Sequence, residues 1–124
     1  MILTEDVTEL FSIYSGVTEP LPYMPLILSA VNEIECRLKN EEFSSDKRIV
    51  ACCAALANLR YCEATAARDG LSHTYAGNVA QNHNASEKIS LALALWKASE
   101  SACHSLLTDE DFTFIAAGEN YERL

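Results

Sequence analysis

Histidines, cysteines and paired carboxylates are the residues of this sequence that could do chemistry. His73 and His83 flank a Gly-Asn pair and would come close together if the chain turned back between them. A zinc site needs three or four ligands, and no carboxylate lies between these two histidines. His104 directly follows Cys103 in a predicted helix, where adjacent side chains diverge and cannot form a nucleophile–base pair. We therefore predict neither a metal site nor a catalytic Cys–His pair.

The five cysteines lie in Ala- and Leu-rich stretches, and no C-x-x-C motif is present. Adjacent residues on a helix point about 100° apart, so the neighbours Cys52 and Cys53 suit neither chelation nor a disulfide. In a reducing compartment, a buried free cysteine behaves as a small hydrophobic residue. We interpret all five as structural thiols: Cys36, Cys52, Cys53, Cys62 and Cys103.

Paired carboxylates occur in two polar stretches, residues 41–42 and residues 109–111. General acid–base catalysis needs a carboxyl group in a desolvated cleft, and both stretches are expected to be solvated helix ends. Arg60 and Glu63 are spaced to form a local ion pair within the third helix. The phosphate-binding glycine loops, G-x-S-x-G and H-E-x-x-H are absent from the sequence. We predict that this protein is not an enzyme and binds no cofactor.

The composition favours a single helical domain that spans residues 1–124. Hydrophobic residues make up 49% of the sequence, whereas glycine (4) and proline (3) are scarce, which is typical of helical proteins. The net charge of −9 disfavours binding to DNA phosphates and to anionic membranes. The longest apolar run, residues 49–57, is too short to span a bilayer. The first ten residues carry acids where a secretion signal would carry bases, so we expect a cytoplasmic location and no membrane contact.

Hydrophobic periodicity predicts a first helix from an N-cap at Thr4 to Gly16, and a second helix that begins near Pro25. The second helix has one apolar stripe, Ile27, Val31, Ile34 and Leu38. Its opposite, polar face is Asn32, Glu33, Arg37 and Lys39. A helix of this kind is expected to bury one side only.

Two longer helices follow. The third is predicted to start at a cap, Ser44 or Ser45, to be apolar on all sides and to end at Gly70. The fourth is predicted to start at the N-x-x-E capping box of Asn84 and to run to about Leu107. The expected fold is mainly α: a four-helix bundle with two long helices, a β-hairpin or loop insertion between helices 3 and 4, and a short C-terminal strand.

The insertion, residues 70–86, contains no Asp, Glu, Lys or Arg. Within it, Gly77-Asn78 is a two-residue turn signal, and the segment is predicted to be a docking hairpin or tongue. The tail, residues 108–124, contains the F-x-F stretch that predicts the strand, and a lone strand needs a partner. The predicted interaction residues lie in these two segments: His73, Thr74, Tyr75, Gly77, Asn78, Val79, Phe112 and Phe114.

The fourth helix carries two apolar stripes rather than one. The first stripe is Ile89, Leu93, Trp96, Cys103 and Leu107. The second stripe is Leu91, Leu95, Ala98, Ala102 and Leu106. One small domain with only two other helices has too little surface to cover both stripes and the all-round apolar third helix. The surplus predicts a partner surface.

Charge is distributed unevenly along the chain. Residues 1–36 hold six acids and no base, and residues 37–68 hold six bases and four acids. The two parts could meet within one chain, or between neighbouring copies arranged head to tail. Head-to-tail contacts close into rings when the rotation between copies permits it.

The order of these elements resembles the head–tail connector (adaptor) family of long-tailed bacteriophages and prophages. The resemblance rests on the acidic first helix after "ILTEDV", the Ala-rich helix with "AALANLRY", the segment "TYAGNVAQ", the second long helix and the F-x-F tail. It implies a ring of about a dozen copies that joins the capsid portal to the tail. Its partners would be further copies, portal and tail-completion proteins, with DNA only as passing cargo. It implies no catalytic residues, and a location in the host cytoplasm and the virion.

An alternative hypothesis comes from "SSDKRIVACCAALANLRY", which resembles the core helix of small bacterial cell-division accessory proteins of the ZapA type. Those proteins place a β-containing head before that helix, whereas this chain places helices there. A further alternative is an unrecognised enzyme, or a small regulatory protein that binds a metabolite in its helical core.

Overall fold

Four α-helices and three 3₁₀ turns make up the part of the protein that the structure describes. A computed structural model describes the backbone of residues 1–72 and 79–108, and the side chains of residues 1–68 and 85–108. The helices are α1 (Thr4–Ser15), α2 (Met24–Arg37), α3 (Lys47–Ser72) and α4 (Val79–Ala102). The 3₁₀ turns are Leu21–Tyr23, Glu41–Ser45 and His104–Leu106. The prediction of a mainly α fold with two long helices is confirmed, and the predicted strand in the tail lies outside the described residues.

The first helix ends where the sequence predicts. Gly16 adopts φ 78°, and its backbone N–H donates to the carbonyl of Ser12, which is the left-handed helix ending that glycine tolerates best. The predicted N-cap is wrong by one residue. Thr4 is the first residue of α1 and Leu3 occupies the cap position, without a side-chain cap. The helix buries Val7 and Phe11 completely.

The second helix buries most of the predicted stripe, whose fourth member, Leu38, is half-buried. The burial is not confined to that stripe. Pro25 lies in its first turn, where a missing backbone N–H costs nothing. Ile27, Val31 and Ile34 are buried, as predicted. Arg37, which the sequence places on the polar face, is buried as well, with 4% exposure. The reason is tertiary: the Arg37 Nη1 donates to Glu100 Oε2 of α4 at 2.9 Å, so an opposite charge accompanies the guanidinium into the interior.

The third helix is the centre of the bundle. Every residue from Cys52 to Leu59 is buried, and α1, α2 and α4 all pack against α3. The prediction that this helix is surrounded by other helices is confirmed. Its alanines and cysteines leave room for three neighbouring backbones, because small side chains allow helix axes to approach closely.

The third helix begins at Lys47, and Asp46 rather than a serine caps it. The Arg48 backbone N–H donates to Asp46 Oδ1 at 2.8 Å, which is the contact of an N-cap side chain. Ser44 and Ser45 instead lie in the preceding 3₁₀ turn. Either predicted serine cap is therefore wrong.

Replacing Asp46 with alanine is expected to lower the free energy of unfolding by about 1 kcal/mol at neutral pH, because a helix N–H loses its acceptor. Side-chain and backbone hydrogen bonds from Arg48 hold the pKa of Asp46 below its ordinary value of 3.8. Stability that depends on the lowered pKa is complete above that ordinary value, and is lost as the pH falls through the folded-state pKa. The deficit of Asp46→Ala should therefore shrink in acid.

Urea unfolding at neutral and acidic pH measures this effect. Asp46→Asn is the matched control, because its amide oxygen still accepts the Arg48 N–H but does not titrate. The cap assignment is contradicted if the alanine and asparagine variants are equally stable at neutral pH.

The predicted hairpin over residues 70–86 is wrong at both ends. Helix α3 continues to Ser72, and α4 begins at Val79 rather than after a cap at Asn84. The two helices pack against each other, and extending a packed helix adds one hydrogen bond per residue. The turn signal Gly77-Asn78 belongs to residues 73–78, which lie outside the described residues.

The end of the described chain is fastened to the end of α2. Helix α4 stops at Ala102, well before the predicted end near Leu107, and a 3₁₀ turn redirects the chain. The Lys39 N–H donates to the Leu106 carbonyl at 3.0 Å, and the Thr108 N–H donates to the Arg37 carbonyl at 2.7 Å. This closure holds α4 against the bundle at its C-terminal end.

Candidate functional site

The two long helices extend beyond the core of the bundle. An aromatic cluster of Phe11, Tyr23 and Tyr61 forms one end of the core; the Phe11 and Tyr61 rings meet edge to face with centroids 5.7 Å apart. Past this cluster, none of residues 60–68 is buried, and none of residues 85–91 is buried. We call residues 60–72 and 79–91 the arm. At 1.5 Å per residue, each helix contributes roughly 20 Å to it.

The hydrogen bonds described in the arm lie within α3, and Lys88 of α4 lies near Cys62 of α3. Burial raises the pKa of the Cys62 thiol, and the nearby Lys88 ammonium of α4 opposes that rise. The Cys62 Sγ donates to Asn58 Oδ1 at 3.8 Å, and the Thr65 hydroxyl donates to the Tyr61 carbonyl at 2.9 Å. These are local contacts, and a pair of short helices depends on further packing for stability. The described side chains of the arm, those of residues 60–68 and 85–91, are exposed or half-buried.

At the base of the arm, Arg60 fastens α3 to α2. Its guanidinium donates to the Glu33 carboxylate and, at 3.2 Å, to the Ser29 hydroxyl. The predicted ion pair with Glu63, one turn further along α3, is wrong. The tertiary neighbour lies closer to the guanidinium than the helical neighbour does.

One side of α4 is covered by α3, and the opposite side is uncovered. Ala92 and Cys103 are buried, with Trp96 partly buried between them. Opposite them lies a surface that we call the outer face: Leu91, Ala94, Leu95, Ala98, Ser101 and Ala102. Leu91 is 71% exposed; Leu95 is half-buried, and the other four are exposed. The outer face contains no charged side chain.

The second predicted stripe of α4 is therefore mostly uncovered. Leu91, Ala98 and Ala102 face outwards, and only Leu106, in the 3₁₀ turn, is buried. The first stripe packs towards α3, although Leu93 at its edge is 37% exposed. The surplus of apolar surface that the sequence indicates is present on this helix.

A second exposed surface lies on α1, and sequence analysis did not find it. We call it the acidic face: Leu3, Glu5, Asp6, Glu9 and Ile13. Ile13 is 74% exposed and Leu3 is 63% exposed. The signal was present in the sequence, because Ile13 falls outside the buried stripe of α1 and lies among acids on the opposite side.

Most of the predicted interaction residues cannot be placed on these surfaces. Residues 73–78, which include five of them, lie outside the described part of the chain, as do Phe112 and Phe114. Val79 is the first residue of α4. The predicted docking role of these side chains stays a prediction, and the outer face and the acidic face are additional to it.

No group of three histidine, cysteine or acidic side chains in the described residues is arranged to hold a metal ion. Cys103 and His104, the only adjacent cysteine and histidine in the sequence, point to different environments. Cys103 is buried and its Sγ donates to the Arg48 carbonyl at 2.9 Å, whereas His104 is exposed. Within the described part of the chain, no helix is both long and apolar enough to cross a membrane.

All five cysteines are free thiols, and three of them are buried. Burial raises the pKa of Cys53 to about 12. The pKa of Cys52 is raised by a side-chain hydrogen bond with Cys103 and by burial. The interpretation as buried structural residues holds for these three, whereas Cys36 is exposed and Cys62 is half-buried.

In the native protein, an aromatic disulfide reagent at about pH 8 is expected to modify Cys36 quickly and Cys62 slowly, because thiolate formation and access control the rate. Cys52, Cys53 and Cys103 should react only after denaturation. Cys36→Ser should remove the fast phase and leave the others unchanged. Rapid modification of a third thiol in the folded protein would contradict the burial described above.

Comparisons with protein-family models, with curated proteins and with solved structures find no match for this chain.

Proposed function

We propose that this protein is a non-enzymatic structural protein of the head–tail connector type, which assembles as a ring between a capsid portal and a tail. The observation that carries the proposal is the uncovered outer face of α4, with Leu91 71% exposed. An apolar helix face that a chain leaves exposed is typical of an assembly surface. The arm, which extends from the same helix, gives the ring a means to reach a neighbouring ring.

The charge of the protein is compatible with DNA that passes through and does not bind. The net charge is −9, and binding to DNA phosphates requires a basic surface. Exposed acids on α1 would repel phosphates at distances of about a Debye length, roughly 8–10 Å at physiological salt. In this proposal the DNA is cargo, the partners are portal and tail-completion proteins, and the locations are the host cytoplasm and the virion.

Electron microscopy of this protein mixed with its candidate portal ring tests the proposal. We expect a second ring of density stacked on the portal. A portal that stays bare over a range of salt and protein concentrations would overturn the proposal. A matched variant sharpens the experiment: replacing residues 73–78 with a Gly-Ser linker of equal length removes the predicted docking side chains between α3 and α4. It should abolish stacking and leave the helical circular dichroism unchanged.

Co-sedimentation with a polymerised tubulin-like protein distinguishes the connector proposal from the alternative of a cell-division accessory protein. Under the connector proposal, the amount of this protein in the pellet should not change when polymer is added. Specific pelleting would favour the alternative. For the metabolite-binding alternative, a thermal shift produced by a small-molecule library would be the corresponding sign.

A further inference from the structure

The acidic face of α1 and the outer face of α4 have complementary character. On α1, Ile13 is exposed among Glu5, Asp6 and Glu9, and the helix contains no basic residue. The described cross-helix salt bridges, Arg37–Glu100 and Arg60–Glu33, leave these three acids out. The acidic face therefore presents two exposed apolar side chains, Leu3 and Ile13, with the three carboxylates between them along the helix.

The outer face of α4 is apolar, and the charges beside it are of the opposite sign. Its apolar strip runs from Leu91 to Ala98, and Lys88 and Lys97 are both exposed. At about 100° per residue, these two lysines project on opposite sides of the strip. Glu87 lies at its N-terminal end. The strip therefore offers an apolar centre with a lysine along each edge.

We propose that the acidic face of one copy docks on the outer face of α4 of a second copy. Ile13 then contacts the strip near Leu91, and the α1 carboxylates lie beside Lys88 and Lys97. This inference rests on the proposed function, because it names the contact by which neighbouring copies build the ring. Apolar contact at the centre with opposite charges at the edge is the usual arrangement of a specific interface.

The positions of the two faces permit a continuous head-to-tail series. Helix α1 packs on α3 near Tyr61, and the end of α4 packs on α3 near Cys52 through Cys103. These two positions are separated by about two and a half helical turns and so lie on opposite sides of α3. One copy can therefore use its acidic face with one neighbour and its outer face with another, as a closed ring requires.

A symmetric pairing of two outer faces is less well matched in charge. An antiparallel α4–α4 contact centred on Ala94 and Ala98 would place Lys97 of the two copies at the same level of the interface. Like charges at an interface oppose association. The acids of α1 instead supply the opposite charge, so a second copy that presents its acidic face is the occupant that the charges favour.

The test uses two variants that each block one face of the full-length protein. Ile13→Lys places a base on the acidic face, and Leu91→Glu places an acid on the outer face. Both residues are exposed, so circular dichroism should show unchanged folding. Sedimentation velocity up to millimolar concentration should show concentration-dependent association of the wild type. Each variant alone should associate at least about 30-fold more weakly than the wild type, as expected when an apolar contact of the interface is lost.

Mixing the two variants gives the decisive result. Each variant keeps one intact face, so an equimolar mixture should form heterodimers and stop there. Leu28→Lys on α2, where Leu28 is 45% exposed, is the control and should associate like the wild type. The inference is overturned if the wild type stays monomeric at every concentration. It is also overturned if Ile13→Lys associates normally while Leu91→Glu does not, which would indicate an α4–α4 contact.

The self-association experiment contains no portal, so its result is independent of the portal-stacking test of the proposed function. Self-association through these faces without stacking on a portal would sustain the inference and remove the connector function. Stacking on a portal by the Ile13→Lys and Leu91→Glu variants, as efficient as that of the wild type, would sustain the connector function and remove the inference.

Discussion

Replacing Phe11 with alanine is expected to lower the free energy of unfolding by about 4 kcal/mol. The Phe11 side chain is completely buried and meets Tyr61 edge to face at 5.7 Å and Tyr23 at 6.5 Å. The substitution removes a buried ring and leaves a cavity. It also removes the aromatic contacts that join α1 to α3. Urea unfolding followed by circular dichroism measures the change.

The matched control lies on the same helix. Ile13→Ala, at a side chain that is 74% exposed, should change the free energy of unfolding by less than about 0.5 kcal/mol. If the two variants were equally stable, α1 could not be packed on the bundle through Phe11. The acidic face would then lose the orientation on which the proposed contact between copies depends.

The second large effect is expected at Glu100. Replacing Glu100 with alanine should lower the free energy of unfolding by about 3 kcal/mol. The Arg37 side chain is 5% exposed and that of Glu100 is 19% exposed, with 2.9 Å between Nη1 and Oε2. Without the Glu100 carboxylate, a buried positive charge loses its nearest described counter-charge, which offsets part of its desolvation. The pair also links α2 to α4, so we expect the C-terminal half of α4 to loosen.

Two further variants separate the loss of a charge partner from a loss of packing. Glu33→Ala breaks the Arg60 pair, which is 30% exposed on the arginine side and 47% on the glutamate side; such pairs contribute less than about 1 kcal/mol. The double variant Arg37→Met with Glu100→Leu removes both charges and should recover most of the stability lost in Glu100→Ala. A double variant as unstable as Glu100→Ala would show that packing, and not the loss of the counter-charge, is responsible.

Glu100→Ala also bears on the proposed assembly, through the position of α4. This helix packs chiefly against α3, and its C-terminal end is fixed by Glu100, by buried Cys103 and by the backbone bonds that join residues 106–108 to residues 37–39. Loss of one of these contacts would move the outer face relative to the acidic face. Glu100→Ala is therefore expected to weaken association between copies as well as folding.

The secondary structure of the first half of the chain follows from local sequence. The stripe of α2, the glycine that ends α1 and the all-round apolar character of α3 are properties of single helices, and periodicity of side chains reports them directly. The boundaries of α3 and α4 near residues 70–86 do not follow in this way. A glycine inside a helix costs about 1 kcal/mol, and a capping box stabilises a helix that starts at it by about 1 kcal/mol. Packing of α4 along α3 outweighs both local preferences.

The sequence also did not predict which side chains from different helices pair with each other. Local spacing predicts that Arg60 pairs with Glu63 and that Arg37 faces solvent, whereas the structure pairs them with Glu33 and Glu100. Both observed pairs join different helices, and their geometry depends on how those helices cross. A pattern within one helix carries no information about that crossing.

The sequence by itself determined that this protein is helical, that α3 needs neighbours on all sides and that α4 carries more apolar surface than one neighbour can cover. Only the tertiary structure decided which stripe of α4 stays uncovered, and that Arg37 is buried beside Glu100. The physical reason is that periodicity describes the two sides of a single helix. Burial, in contrast, is set by pairs of helices: three of them surround α3, and α4 packs against α3 along one side only.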